Sequence, residues 1–202
     1  MRYSMFLFLF ISFSLVAQNP LKQLEESPRH HEWITISIVD QKLQIFLVFP
    51  EVADKVPVVI LIHENRGLND WARSMADQIA AMGYIVLAPD LLSGKAPDGG
   101  GTSAFKNSDA ARTALYAIDP DQITRGLQAT LAHGKQIDAA NGKVAVIGFC
   151  WGGSQSFRFV SNEDQLAAAF VCYGTGPKNK EAYKTINTPV YGFYGGNDNR
   201  VN

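Results

Sequence analysis

Apolar and polar positions along this chain repeat with two different periods, and the change between them predicts where strands and helices lie. Ile34–Ile38 alternates apolar with polar residues, and so does Leu43–Phe49, which predicts a strand pair with one buried face. Val56–Ile62 is apolar without alternation. We therefore expect it to form a central strand that is covered on both faces.

Helices are predicted after these strands, from the spacing of apolar residues. Asn69–Met82 carries apolar residues three and four positions apart, with Asn69 able to cap the helix start and Gly83 able to end it. Asp119–Gln122 has the composition of a second helix start, with a proline at its first position. Four more strands are predicted at Tyr84–Ala88, Lys143–Ile147, Ala167–Cys172 and Pro189–Tyr194. This alternation predicts an α/β fold in which a mostly parallel sheet carries helices on both faces.

One long segment, Ser93–Asp109, has no sustained period and contains three consecutive glycines. It is expected to be a loop. Loops of this length within a domain are commonly lids or binding loops, and plain surface disorder is the alternative.

The N-terminal residues are expected to lie outside the fold. Arg2 precedes an uncharged apolar run that continues to Val16, and polar residues begin after Ala17, which is the pattern of a secretory signal. We expect a signal peptide at 1–17, a polar segment at 18–31 and one domain at 32–202. The apolar run is short for a membrane span, so an exported protein, periplasmic or extracellular and without stable membrane insertion, is expected. An uncleaved anchor is the alternative.

Composition narrows the class of protein. The chain has 202 residues, 47% of them hydrophobic, and a formal net charge of -1. That length suits one domain, and the charge gives no reason to expect a nucleic acid partner. The two cysteines, Cys150 and Cys172, are too few for a disulfide scaffold and follow different strands, so a bridge between them is the less favoured hypothesis. The oligomeric state is left open.

The most informative motif is a Gly-x-Cys-x-Gly-Gly turn at the end of the predicted strand that precedes Gly148. Its glycines Gly148, Gly152 and Gly153 allow a sharp strand-to-helix turn, and Cys150 stands at the apex. An α/β-hydrolase presents its nucleophile on such an elbow, where the helix dipole stabilises a thiolate. The alternative is a buried structural cysteine.

Two competing motifs fail on a single residue each. The pair His63-Glu64 begins like the zinc-binding H-E-x-x-H helix, but the second histidine position is Gly67. The elbow resembles the nucleotide-binding G-x-G-x-x-G, but its second glycine position is Cys150, whose side chain would obstruct a pyrophosphate. No metal and no organic cofactor are therefore expected.

Polar residues at the carboxyl ends of the predicted strands supply the rest of a candidate site. Cys150 is expected to attack a carbonyl group, and the backbone N–H groups of Trp151 and Asn65 to bind the resulting oxyanion. Asp198 is expected to orient a histidine base. The alternative for Asp198 is a turn in which its side chain bonds the following backbone.

Four ordered segments resemble the dienelactone hydrolase family: His63–Gly67, Ala88–Leu91, Gly148–Gly153 and Tyr194–Asp198. Together they extend over nearly all of the chain after the predicted signal peptide. The resemblance implies an α/β-hydrolase fold and a Cys-His-Asp triad in which Cys150 is the nucleophile and Asp198 the acid. It also implies that Glu64 takes the thiol proton as substrate binds. The alternative for Glu64 is a loop carboxylate paired with Arg66.

The chain departs from the family pattern at the histidine. Its four histidines are His30, His31, His63 and His133, and none follows Asp198, where the base is expected. His63 is a poor substitute because it immediately precedes Glu64. The simplest account is a C-terminally incomplete domain that lacks its last strand, its last helix and the base. Such a fragment is expected to be nearly inactive.

These observations predict a hydrolase of small esters or lactones, of carboxymethylenebutenolidase type. Family members hold a substrate carboxylate with arginines; here Lys95 occupies one such region, so Lys95 and Arg66 are candidate substrate contacts. A non-catalytic binding protein on a hydrolase scaffold is the alternative from another class. A thiol-redox role for the two cysteines is the third hypothesis.

Overall fold

The computed structural model describes residues 19–39 and 41–201, and the predicted signal peptide lies outside them. The strands are β1 (His31–Ile38), β2 (Gln41–Val48), β3 (Val56–Ile62), β4 (Ile85–Pro89), β5 (Ala140–Phe149), β6 (Ala168–Cys172) and β7 (Val190–Phe193). The helices are α1 (Pro20–Glu25), α2 (Asp70–Ala81), α3 (Ser108–Tyr116), α4 (Pro120–Gln136) and α5 (Trp151–Val160), with 3₁₀ turns at Thr102–Ala104 and Lys180–Thr185. None of the helices in the described ranges combines the length and apolar character needed to cross a membrane.

The seven strands form one sheet in the order β1-β2-β4-β3-β5-β6-β7. Strand β2 pairs antiparallel with β1 and with β4, and every other pair is parallel. The predicted mostly parallel α/β sheet is therefore confirmed. The parallel strands bring the loops after β3, β4, β5 and β6 to one edge of the sheet, where ligands bind in open α/β folds.

Side chains of the central strand point alternately into two apolar layers. Ile60 and Ile62 of β3 belong to the core that α3, α4 and α5 cover, whereas Leu61 belongs to the core beneath α2. All three are fully buried. The prediction that Val56–Ile62 is covered on both faces is thus confirmed, and the helices hold this strand rigidly beneath its loop.

Two helices were not expected from the sequence. The loop predicted at 93–109 contains a 3₁₀ turn and the start of α3, which Asn107 caps by accepting a hydrogen bond from the Ala110 N–H. The polar segment before the domain contains α1, whose Leu24 is buried against the α2 layer. Both helices are short, and their apolar periodicity is too brief to distinguish them from loops.

A buried ionic cluster attaches the N-terminal segment to α2. The fully buried Asp77 carboxylate accepts hydrogen bonds from Ser27 Oγ at 2.6 Å, from Arg29 Nε and Nη2 at 2.8 and 2.6 Å, and contacts His31 Nε2 at 2.8 Å. Burial alone would raise the pKa of Asp77, but the hydrogen bonds from Arg29, Ser27 and His31 outweigh it and lower the pKa to about 2.

The ionic cluster around Asp77 predicts that the stability of the fold decreases at acidic pH. Since the pKa of Asp77 is lower in the folded chain than its ordinary value of 3.8, its ionisation stabilises the fold above that value, and the contribution disappears as the pH falls toward 2. The loss amounts to about 2 kcal/mol at ~1.4 kcal/mol per pKa unit. In urea unfolding, the stability gap between the wild type and Asp77→Asn should narrow by that amount between about pH 4 and pH 2. The exposed carboxylate variant Asp109→Asn is the control, and a gap that stays constant would contradict the prediction.

Candidate active site

The predicted strand–turn–helix elbow is present, with Cys150 between β5 and α5. Cys150 has φ 56° and ψ −115°, a backbone conformation that is strained for any residue with a side chain. Its N–H donates to the Cys172 carbonyl at 3.0 Å, and its own carbonyl accepts from Ser154 N–H at 3.2 Å. The surrounding hydrogen bonds thus hold the half-buried thiol above the strand end.

The elbow depends on close backbone packing at its three glycines. A Cβ on Gly148 would overlap the Gly152 carbonyl, and one on Gly152 would overlap the Ile62 carbonyl of β3. A Cβ on Gly153 would lie 2.5 Å from the Cys172 carbonyl oxygen. The first turn of α5 is therefore pressed against the ends of β3 and β6 at distances that only glycine permits.

Two backbone N–H groups at the carboxyl ends of β3 and β5 make no hydrogen bond with any described residue. Trp151 is the first residue of α5, where the N–H has no acceptor within the helix. In the described part of the chain the Asn65 N–H donates no hydrogen bond, and it lies in the loop after β3. Both groups stand at the strand ends where the predicted oxyanion site requires donors.

His63 supports this loop and is not available as a base. The ring is fully buried and stacks on Trp151 with centroids 5.7 Å apart. Nδ1 donates to the Glu64 carbonyl at 2.8 Å, and Nε2 accepts from the Leu91 N–H at 3.4 Å. Burial lowers the pKa of His63, against an opposing effect of Asp90. A neutral imidazole with both nitrogens engaged cannot take a proton from Cys150.

Glu64 is half-buried at the same strand end, and its carboxylate makes no hydrogen bond or ion pair with any described residue. The alternative pairing with Arg66 does not form. Burial raises the pKa of Tyr173, and the nearby Glu64 carboxylate raises it further.

Asp198 forms a turn with the backbone that follows it, which was the alternative to a role in orienting a histidine. Its Oδ1 accepts from the Arg200 N–H at 3.0 Å, and its carbonyl accepts from the Val201 N–H at 3.3 Å. The side chain therefore closes a turn. Within residues 19–39 and 41–201 it contacts no histidine.

Arg200 is the contact that the sequence reasoning missed. Its Nη1 lies 3.5 Å from Cys150 Sγ, and its Nη2 donates to the Tyr173 carbonyl at 3.1 Å. The hydrogen bond to Cys150 and the sulfur's negative charge raise the pKa of Arg200. In the sequence, the only indication of this contact was the position of Arg200 two residues after Asp198, in a loop expected at the same edge of the sheet.

The two cysteines are both free thiols. Cys172 is buried, and burial raises the pKa of its thiol. Since a thiolate is the reactive form, Cys172 is expected to be inert at neutral pH. Only Cys150 has the exposure and the neighbouring cation of a reactive cysteine.

The candidate substrate contacts lie elsewhere. Lys95 lines a polar groove of about 820 Å³ beside Lys42 and Arg125, and its Nζ donates to Gln122 at 3.0 Å. Arg66 lines a smaller cavity of about 280 Å³. Neither cavity includes Cys150. Among residues 19–39 and 41–201, no group of three or more His, Cys, Asp or Glu side chains is placed to hold a metal ion.

An elbow with an apical nucleophilic residue, at the carboxyl edge of a mostly parallel sheet covered by helices on both faces, defines the α/β-hydrolase class. The chain belongs to the dienelactone hydrolase family, whose family model matches residues 43–202.

Comparison with known proteins gives the same family. An Escherichia coli (strain K12) protein, provisionally named a carboxymethylenebutenolidase, is 30% identical over 159 residues, which cover 72% of this chain and 56% of that protein. The carboxymethylenebutenolidase of Pseudomonas putida is 27% identical over 150 residues, 72% of this chain and 62% of the relative. The chain thus spans less than two thirds of the length of these relatives. A dienelactone hydrolase-like promiscuous phosphotriesterase from metagenomic libraries shares the fold, with a TM-score of 0.71, 24% identity, and coverage of 86% of this chain and 72% of its own.

The Arg200 contact predicts the reactivity of the thiol. Reactive cysteines commonly have a neighbouring cation, and Arg200 Nη1 lies 3.5 Å from Cys150 Sγ. Arg200→Gln should therefore slow iodoacetamide alkylation of Cys150 by up to about fivefold, the limit for an exposed charged contact worth ~1 kcal/mol. Arg200→Lys should retain part of the rate. Mass spectrometry of the modified peptides measures both, with Arg66→Gln, an exposed arginine that does not contact the sulfur, as the control. An unchanged rate in Arg200→Gln would refute this role.

Proposed function

We propose that this protein is a cysteine-dependent hydrolase of small esters or lactones. The observation that carries the proposal is the strained backbone of Cys150 at the elbow, directly followed by the free N–H of Trp151. The loop after β3, at the same edge of the sheet, carries the unpaired Asn65 N–H. Strain of this kind is retained where surrounding structure imposes it, and here it presents a thiol to the sheet edge. The family supports hydrolase chemistry on a small-molecule substrate.

The proposed reaction proceeds through a thioester. Cys150 Sγ attacks the substrate carbonyl carbon as its proton passes to Glu64, and the carbonyl oxygen becomes an oxyanion bound by the Trp151 and Asn65 N–H groups. The tetrahedral intermediate collapses, the C–O bond to the alcohol breaks, and the alcohol oxygen takes the proton that Glu64 received from the thiol. Water then attacks the thioester and releases the acid and the free thiol.

The unpaired Glu64 carboxylate supports its role as proton acceptor. A carboxylate engaged in a salt bridge would resist protonation, whereas this one is half-buried and has no cationic partner in the described residues.

We propose that the activating base is a histidine supplied from outside residues 19–201 and oriented by Asp198. The available histidine near the thiol, His63, has both ring nitrogens engaged. Asp198 would then exchange its hydrogen bond to the Arg200 N–H for one to the imidazole. On this proposal the histidine activates the water that attacks in the second step.

The proposed substrates are neutral or weakly charged small esters and lactones. The Pseudomonas putida relative is a carboxymethylenebutenolidase, which supports a lactone as one candidate. The cationic groove that contains Lys95 is separate from Cys150, so it does not support a carboxylate anchor at the reacting bond. Export through an N-terminal signal is proposed as the cellular context.

Replacement of the nucleophile tests the function. In the full-length protein, Cys150→Ala should reduce hydrolysis of p-nitrophenyl acetate by at least about a thousandfold, since nucleophile removal abolishes the covalent route. Initial rates at 405 nm provide the measurement. Cys172→Ala, which removes a buried thiol at the end of the neighbouring strand, is the matched control and should keep its rate. Turnover that survives in Cys150→Ala would refute the mechanism, whereas substrate binding without turnover in the wild type would favour the non-catalytic binding role.

A further inference from the structure

Two side chains connect the two loops that border the candidate site: the His63 ring, which accepts from the Leu91 N–H, and the Thr102 hydroxyl. The first loop joins β3 to α2 and carries Glu64 and Asn65, and the second follows β4 and includes residues 90–102. Thr102 Oγ1 lies 2.9 Å from the Leu68 N in the first loop and 2.7 Å from Asp90 Oδ1 at the start of the second.

The direction of both hydrogen bonds follows from chemistry. An ionised carboxylate only accepts and a backbone N–H only donates, so Thr102 must donate its proton to Asp90 and accept from Leu68. The hydroxyl is thus fully committed in one orientation. A charge-assisted bond of this kind is stronger than a neutral one, which fixes the hydroxyl against the carboxylate.

Asp90 is itself rigidly held. Its side chain is only 3% exposed, and it accepts from the Leu92 N–H at 3.0 Å and from the Thr102 N–H at 2.7 Å. It forms no salt bridge with any residue in the described ranges. A buried carboxylate that depends on three neutral donors cannot move without losing them. Asp90 therefore gives Thr102 a fixed reference position at the end of β4.

Close packing couples the position of Thr102 to the first loop, between β3 and α2, which carries Asn65. Gly67 has φ 78°, and a Cβ there would overlap Thr102 Oγ1, so the two loops touch directly. The Gly67 N–H donates to the Glu64 carbonyl at 3.3 Å and closes the turn that contains Asn65. A displacement of Thr102 would thus shift Gly67 and, with it, the Asn65 N–H.

We propose that Thr102 is a positioning residue that sets the orientation of the Glu64–Gly67 turn through its hydroxyl. The proposal rests on the proposed function, because the turn matters for turnover only if it binds the oxyanion. An oxyanion donor acts on the transition state more than on bound substrate, so the effect should fall on kcat and leave KM little changed.

Two variants separate the hydroxyl from the shape of the side chain. Thr102→Val keeps the volume and removes both hydrogen bonds, and Thr102→Ser keeps the hydroxyl and loses a methyl group. In the full-length protein acting on p-nitrophenyl acetate, Thr102→Val should lower kcat about tenfold with KM within about twofold, less than the hundredfold or more that loss of a donor itself costs. Thr102→Ser should stay within about threefold of wild type. Thr113→Val, which removes an α3 hydroxyl bonded to its own helix backbone, is the control and should match wild type.

Alkylation of Cys150 by iodoacetamide forms no oxyanion and should proceed at the wild-type rate in Thr102→Val. An unchanged kcat in Thr102→Val, or an equal loss of kcat in Thr102→Ser, would overturn the proposal. Hydrogen exchange of the Leu68 amide in the unaltered protein provides a test that does not depend on folding of a variant: slow exchange is expected, and exchange at the rate of an open loop would overturn the proposal. If the proposed function itself is wrong, turnover persists in Cys150→Ala. If only the role of Thr102 is wrong, Cys150→Ala loses turnover and Thr102→Val keeps its kcat.

Discussion

The close contact of the first turn of α5 with the ends of β3 and β6 is the constraint on which the rest of the site depends. Gly152 lies directly against the Ile62 carbonyl and Gly153 against that of Cys172, so the helix begins without any spacing side chain. This contact forces Cys150, at the apex of the turn between Gly148 and Gly152, into a positive φ. The strain at Cys150 is therefore a consequence of sheet and helix packing, and the packed core on both sides of β3 sustains it.

Two buried carboxylates organise the loops around this elbow, and they are stabilised in different ways. Asp77 is neutralised by Arg29 with help from Ser27 and His31, and it attaches the N-terminal segment to α2. Asp90 has only neutral donors in the described residues, and it orders the loop after β4. An ion pair offsets the cost of burying charge directly, whereas neutral donors do so only while every one stays in place. The position of the loop after β4 therefore depends on all of these donors together.

The edge of the sheet that carries the thiol brings together residues from distant parts of the chain. Glu64 comes from the loop after β3, Trp151 from the start of α5, and Arg200 from the loop after β7. His63, which the sequence places next to Glu64, instead supports the loop from below through its stacking on Trp151. His63 is thus committed to the structure of the loop, and the thiol has Arg200 as its neighbouring cation.

The sequence by itself determined the α/β class, the central strand, the helix caps and the elbow, because these depend on periodicity and on residues with special backbone properties. Glycine spacing around Cys150 carries its meaning locally. The sequence did not indicate α1 and α3, whose apolar patterns are too short. Only the tertiary structure placed Arg200 on the sulfur, engaged both nitrogens of His63, and separated Lys95 from the thiol. These contacts join residues tens of positions apart, and their distances are set by strand order and loop packing, which no local pattern encodes.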